Sequence, residues 1–233
     1  FAIRVPRVAT MALIGLTGGI STGKSTVSKI IRSLGIPIID ADVLAREAVE
    51  PGTNAHKLIV KEFGTKVLLD PENLNSGLNR ELLGAIIFEN EEKRRLLNKC
   101  VHQYVFRSMT LLLMKYLLSG HTCIVLDVPL LFETKTDRMC SATIVVDCNE
   151  STQLERLMKR DGFTEEEARK RIGAQMSTEE KKSLATYVID NNHDLENTKA
   201  QVLALFQRRI LWSRPAQLQL VYQLCLVAVL FSI

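Results

Sequence analysis

The sequence predicts an α/β fold: a parallel sheet with helices on both faces, an inserted helical part and a lid. Three observations carry that expectation. Residues 18–25, Gly18-Gly19-Ile20-Ser21-Thr22-Gly23-Lys24-Ser25, fit the phosphate-loop pattern G-x-x-x-x-G-K-[ST] at every fixed position. Four further short apolar runs, 36–39, 122–127, 142–146 and 185–190, have strand character, and each closes on an acid: Asp40, Asp127, Asp147 or Asp190. Between the first two of those runs, residues 54–118 read as helix and loop only, too long a stretch for a simple crossover.

The loop stands in the context its motif needs. An apolar strand, Met11 to Leu16, leads in, and a helical pattern of Val27, Ile30, Ile31 and Leu34 leads out. Glycines let the backbone curl so that successive N–H groups converge on an anion at a helix N-terminus. Lys24 adds a mobile charge for the β- and γ-phosphates, and the Ser25 hydroxyl is of the type that ligates Mg²⁺. Residues Gly18 to Thr26 therefore imply a site for a nucleoside triphosphate.

The first helix should run from Lys24 to Leu34, where Gly35 stops it and Pro37 restores an extended path. The strand at 36–39 delivers Asp40-Ala41-Asp42 to its carboxyl end, the side of an open α/β sheet where ligands bind. The alternative is that one of these acids only caps the helix at 43–49. Helices are expected at 55–63, 80–88 and 93–118, with loop at 68–76. His102, within the last of these, reads as a structural residue. Asp127 closes the strand at 122–127; it either holds Mg²⁺ through water or caps the turn before Pro129. A charged helical pair follows, with Arg156 and Arg160 before the Asp161-Gly162 break and Thr164-Glu165-Glu166-Glu167 opening the second helix. Arg160, ending a helix beside a glycine turn, is placed to swing over a triphosphate, whereas Lys159, Arg169 and Lys170 read as a solvated face. A last helix is expected at about 195–210.

Composition narrows the class. The chain has 233 residues, 46% of them apolar, and a net charge of +4, which suits small polyanions but falls short of a nucleic-acid footprint. Five cysteines without a C-x-x-C pair read as reduced core thiols and give no zinc site. No apolar segment precedes Met11, which argues against a secretory signal; residues 1–10 read either as a presequence remnant or as an upstream extension of a start at Met11. Residues 215–233 carry no charge, and Arg208, Arg209 and Arg214 precede them, so the tail at 211–233 either contacts a membrane or packs on protein. The compartment expected is cytoplasmic or an organelle surface, the latter if the tail tethers the chain.

Taken together, Leu16-Thr17-Gly18-Gly19-Ile20, Gly23-Lys24-Ser25, Ile39-Asp40-Ala41-Asp42, Ala45-Arg46 and Val49-Glu50-Pro51-Gly52 form an ordered series. It continues through Val128-Pro129-Leu130-Leu131-Phe132-Glu133, Gln153-Leu154-x-Arg156, Met158-x-Arg160-Asp161, Arg171-Ile172-x-Ala174-Gln175 and Val188-Ile189-Asp190-Asn191-Asn192. The series resembles the dephospho-CoA kinase family over residues 11–210, and the apolar tail is similar to that of the eukaryotic domain-containing type. The resemblance implies a P-loop nucleoside-kinase-like fold, with core segments 11–53, 120–149 and 176–210, a helical CoA-binding insertion 54–119 and a lid 150–175. It implies ATP-dependent phosphorylation of the ribose 3′-hydroxyl of dephospho-CoA to CoA and ADP, the last step of coenzyme A synthesis, with Mg²⁺. By motif position Lys24 and the loop amides from Gly18 to Thr26 bind ATP, Ser25 ligates the metal, Asp42 faces the 3′-hydroxyl, Arg160 meets the transferring phosphoryl group and Arg46 contacts the acceptor. Two positions depart from the family pattern: His102-Gln103 stands where many bacterial members have His-Pro, and His193 where the turn usually carries glycine. Shikimate- or nucleoside monophosphate-type kinases fit the Asp40-Ala41-Asp42 and Val128–Leu131 segments less well, and no N-K-x-D segment supports a GTPase.

Overall fold

The computed structural model describes residues 12–207, so the expectations for residues 1–10 and 211–233 lie outside the described residues. These residues fall into two compact units, one comprising the described residues up to Ile39 and from Met114 onward, the other Asp40–Leu113. The division falls at Asp40, so residues 40–53, expected with the core, belong to the second unit.

The sheet has five strands, β1 (Ala12–Gly18), β2 (Ile38–Asp40), β3 (Cys123–Asp127), β4 (Ala142–Asp147) and β5 (Tyr187–Asp190), in the order β2-β3-β1-β4-β5, all in the first unit but for the last residue of β2. β1 pairs in parallel with β3 (Ile14 opposite Val125) and with β4 (Leu16 opposite Ile144), and β4 pairs in parallel with β5. All seven residues of β1 are buried, as the apolar run Ala-Leu-Ile-Gly-Leu requires of a strand covered on both faces. One face is covered by α1 (Lys24–Ser33) and α9 (Leu195–Gln207): Val27, Ile31, Val202 and Phe206 pack with Ile14, Leu16, Val125 and Ile144. Each such aliphatic side chain contributes about 1.5–3 kcal/mol on burial. From β1 the chain first supplies strands on one side and later on the other, so the loop after β1 sits at the switch point of the sheet.

Three helices connect β4 to β5: α6 (Glu150–Asp161), α7 (Glu165–Gly173) and α8 (Thr178–Leu184). The capping box expected at Thr164 is present, with Glu167 as its partner. A second one, Ser177 with Glu180, starts α8, a helix the sequence reading left out.

The second unit is helical: α2 (Ala41–Ala48), α3 (Asn54–Phe63), α4 (Arg80–Glu89) and α5 (Glu91–Leu118) up to Leu113. Thr53 and Asn79 cap α3 and α4 by accepting the His56 and Leu82 N–H groups. Ile59, Phe63, Val67, Leu68, Leu78, Leu83 and Cys100 form its core. His56 is wholly buried and its Nε2 lies 2.9 Å from the Ser76 carbonyl, while His102 is exposed on α5.

The four described cysteines are free and buried. Desolvation pushes the Cys123 thiol up to about 12, and does the same for Cys140, helped by Asp137. At pH 8 the thiolate fraction of each is then about 10⁻⁴. Peptide-mapped alkylation of the native protein at that pH should leave Cys123 and Cys140 unlabelled until denaturant is added; labelling at the rate of a free thiol would contradict their burial.

Candidate active site

The loop from Gly18 to Ser25 closes on itself and then opens α1. Thr22 donates twice to the Gly19 carbonyl, from its N–H at 3.3 Å and its hydroxyl at 2.9 Å, and the Thr26 N–H reaches the Gly23 carbonyl at 2.9 Å. Gly23 caps α1 at φ 96°, and a Cβ there would collide with the Asn191 amide, so conformation and space both demand glycine. Ser21 takes φ 60° with a side chain other than hydrogen, and its Oγ is buried without a partner. A left-handed residue of this kind costs of order 1 kcal/mol and clusters at ligand sites.

Lys24, on the first turn of α1, pairs with Asp127 at the end of β3. Parallel pairing of β1 with β3 sets Asp127 beside Leu16 and so brings it to the loop. The second carboxylate oxygen accepts from Ser28 Oγ at 2.6 Å. Asp127 is 3% exposed and both its oxygens serve α1, so it does not cap the turn before Pro129. Ser28 was not singled out in the sequence; its signal is its place one turn after Ser25 on α1.

Beyond the loop, α6 ends in Arg160-Asp161, with Gly162 in the left-handed conformation as its cap. The Arg160 guanidinium grips Asp161 with two hydrogen bonds of 2.8 Å, which holds the Asp161 carboxyl below the usual range. Arg160 is exposed and bound to its neighbour, so the structure does not bring it onto the loop.

The segment Val128–Glu133 is pinned from two sides. Thr17 of β1 donates to the Pro129 carbonyl at 2.8 Å. Lys181 of α8, 0% exposed, pairs with Glu133 at 3.0 Å and lies 3.5 Å from the same Pro129 carbonyl. Glu133 also accepts the Met176 N–H. Lys181 was missed because Glu179-Glu180-Lys181-Lys182 has the composition of a solvated helix. His193 sits 3.5 Å from Asp190, and among the described residues only Ser21 and Lys135 are non-glycine with positive φ, so His193 needs no glycine conformation.

In the second unit, Asp40 caps α2 by accepting the Asp42 and Val43 N–H groups at 3.0 and 3.1 Å. Capping therefore falls to Asp40, leaving Asp42 in the first turn of α2. Asp42 and Arg46 are both exposed, one turn apart, and Arg46 Nε donates to the Asp42 backbone carbonyl at 3.2 Å.

A phosphate loop at the switch point of a five-stranded parallel sheet packed with helices defines a P-loop kinase fold. The sequence profile described as dephospho-CoA kinase matches residues 12–197. The chain belongs to the dephospho-CoA kinase family. It is 48% identical over 199 residues to a Danio rerio dephospho-CoA kinase domain-containing protein, covering 85% of each chain. Identity is also 48% to a dephospho-CoA kinase of Oryza sativa subsp. japonica, covering 81% of this chain and 80% of that one. Among solved structures, a Thermus thermophilus protein superposes with a TM-score of 0.71 at 32% identity, covering 85% of this chain and 98% of that one. The dephospho-CoA kinase of Campylobacter jejuni gives 0.63 at 26%, covering 84% and 96%.

Proposed function

We propose that this chain transfers the γ-phosphoryl group of ATP to the ribose 3′-hydroxyl of dephospho-CoA, giving CoA and ADP. The observation that carries the reading is the phosphate loop with Lys24 held ready at its mouth by Asp127, in a chain of this family. The loop amides and Lys24 hold the donor's phosphates, and Lys24 exchanges Asp127 for phosphate oxygen when ATP arrives. Phosphoryl transfer through a loose transition state asks chiefly for positioning and charge neutralisation. Arg160 supplies positive charge at the transferring group by exchanging Asp161 for it. Asp42 orients the 3′-hydroxyl and takes its proton as the new O–P bond forms and the bond to the ADP oxygen breaks. Arg46, one turn along α2, contacts the acceptor. We assign acceptor binding to the helical insertion at 54–119 and the lid role to 150–175.

Mg²⁺ fits the donors present. The Ser25 hydroxyl is a hard oxygen ligand, and Asp127, with both oxygens already engaged, would reach the ion through water. When bound, the ion neutralises phosphate charge. Among the described residues no helix is long and apolar enough to cross a membrane. The uncharged stretch 215–233 supports membrane contact through residues 211–233, which fractionation with and without that tail tests; equal partition of the two forms would remove it.

A coupled ADP-release assay with dephospho-CoA, adenosine, AMP and shikimate as competing acceptors tests the reaction. Stimulation by dephospho-CoA alone is expected, and stimulation by none of the four would leave a nucleotide-binding regulator instead. Arg160→Ala should lose activity mainly in kcat, since a transition-state contact adds little to ground-state binding. A pure rise in KM would assign Arg160 to substrate binding.

A further inference from the structure

We infer that Gln153 and Gln175 are positioning residues that set the peptide planes of the phosphate loop, and that Asn191 completes the same cradle. The two glutamines grip one residue from opposite ends. Gln153 Nε2, from α6, donates to the Ile20 carbonyl at 2.8 Å. Gln175 Oε1, between α7 and α8, accepts the Ile20 N–H at 3.0 Å. Asn191, just after β5, donates its amide to the Thr22 carbonyl at 2.8 Å, while its own oxygen accepts from Thr198 at 2.8 Å. Gln153 and Asn191 are buried, 3% and 8% exposed.

The consequence follows from peptide geometry. In a trans peptide the C=O and the next N–H point in opposite directions. Pulling the Ile20 carbonyl toward Gln153 therefore turns the Ser21 N–H to the other side. Pulling the Thr22 carbonyl toward Asn191 does the same to the Gly23 N–H. The Gly19 carbonyl, held by Thr22, aims the Ile20 N–H outward to Gln175. Gln153 and Asn191 thus take the Ile20 and Thr22 carbonyls, which turns the Ser21 and Gly23 N–H groups to the inside of the loop. Gly19 fits this arrangement as well: a Cβ there would lie 2.7 Å from Gln153 Nε2 and push the amide off its carbonyl. Gln153 and Gln175 both lie in the segment 150–175 to which the lid role is assigned, so the cradle ties that segment to the loop that holds the donor.

The inference rests on the loop being the donor-nucleotide site. Its test is calorimetric binding of ADP to wild type, Gln153→Met, Gln175→Met and the double variant, with KM for ATP and for dephospho-CoA measured alongside. Methionine keeps volume and removes the hydrogen bond without adding charge. Each single variant should bind ADP about 10-fold more weakly and raise KM for ATP similarly. KM for dephospho-CoA and the melting temperature of the ligand-free protein should stay put. The double variant should lose less than the product of the two single losses, because both glutamines hold one residue. Unchanged ADP affinity overturns the inference, as does a parallel loss of melting temperature and of affinity for both substrates, which would make these glutamines ordinary core. Failure of the wild type to bind ADP would remove this inference together with the donor assignment, whereas unchanged variants remove this inference alone.

Discussion

Asp42→Asn should lower kcat by roughly 10²–10⁴ with little change in KM for ATP. The substitution keeps size and hydrogen-bonding reach but removes the site that takes the hydroxyl proton. A ribose hydroxyl is a weak acid and the transition state is loose, so the proton moves late and the carboxylate need not have a raised pKa. Asp40 offers the internal control. It too is a carboxylate at the start of α2, yet one oxygen accepts two backbone N–H groups as a helix cap. Asp40→Ala should therefore cost about 1 kcal/mol of stability, the usual worth of such a cap. Turnover near wild type in Asp42→Asn, with dephospho-CoA saturating, would take Asp42 out of the chemistry.

The second large effect concerns Lys181 and Glu133, and it should be asymmetric. Lys181 is 0% exposed, whereas the Glu133 side chain keeps 22% of its surface in contact with solvent. Glu133→Gln leaves a buried ammonium facing only neutral oxygens, a situation that costs about 3–5 kcal/mol. For a domain of this size that is a fall in melting temperature of roughly 6–20 °C. Lys181→Met replaces the cation with an apolar chain of similar length, and the carboxylate it leaves behind keeps the Met176 N–H on Oε1 while Oε2 stays buried without a partner. Its loss should be the smaller of the two, because the charge left behind is then the less buried one and keeps a backbone donor. Paired thermal melts decide the matter: a larger loss in Lys181→Met than in Glu133→Gln would contradict the burial asymmetry.

Much of the geometry of the candidate donor loop was legible in the sequence because it is local. Gly18 to Ser25 carry turn, anion site and helix start within one continuous run, and the structure places that run between β1 and α1 as read. The strands were legible from short apolar runs ending in aspartate, and β1, β3, β4 and β5 begin and end within about two residues of expectation. What could not be read depends on distant partners. Asp127 read as a metal ligand or a turn cap, and only the sheet shows it beside Leu16, next to Lys24 and Ser28. Gln153, Gln175 and Asn191 were visible as motif residues, but only the fold shows that all three reach loop backbone. Lys181 was illegible for a different reason. A buried lysine has the same sequence neighbours as a solvated one, and its acid lies in a loop before β4. Asp40 and Asp42 were ambiguous by type, since either could cap; backbone geometry assigned that task to Asp40.

The sheet order has a consequence for how the chain reaches its fold. β1 is central and buried throughout, yet both strands that pair with it come much later. Thr17 and the Pro129 carbonyl that it bonds are 112 positions apart. At about 5–20 residues per second, synthesis of that interval takes roughly 6–22 s. For nearly all of it β1 has neither β3 nor β4 to pair with. Local helices of the second unit form far sooner than that, so the helical unit is available before the nucleotide sheet can close. The strand that leads into the phosphate loop is thus made first and paired late, and for those seconds its burial depends on nascent helices or on a chaperone.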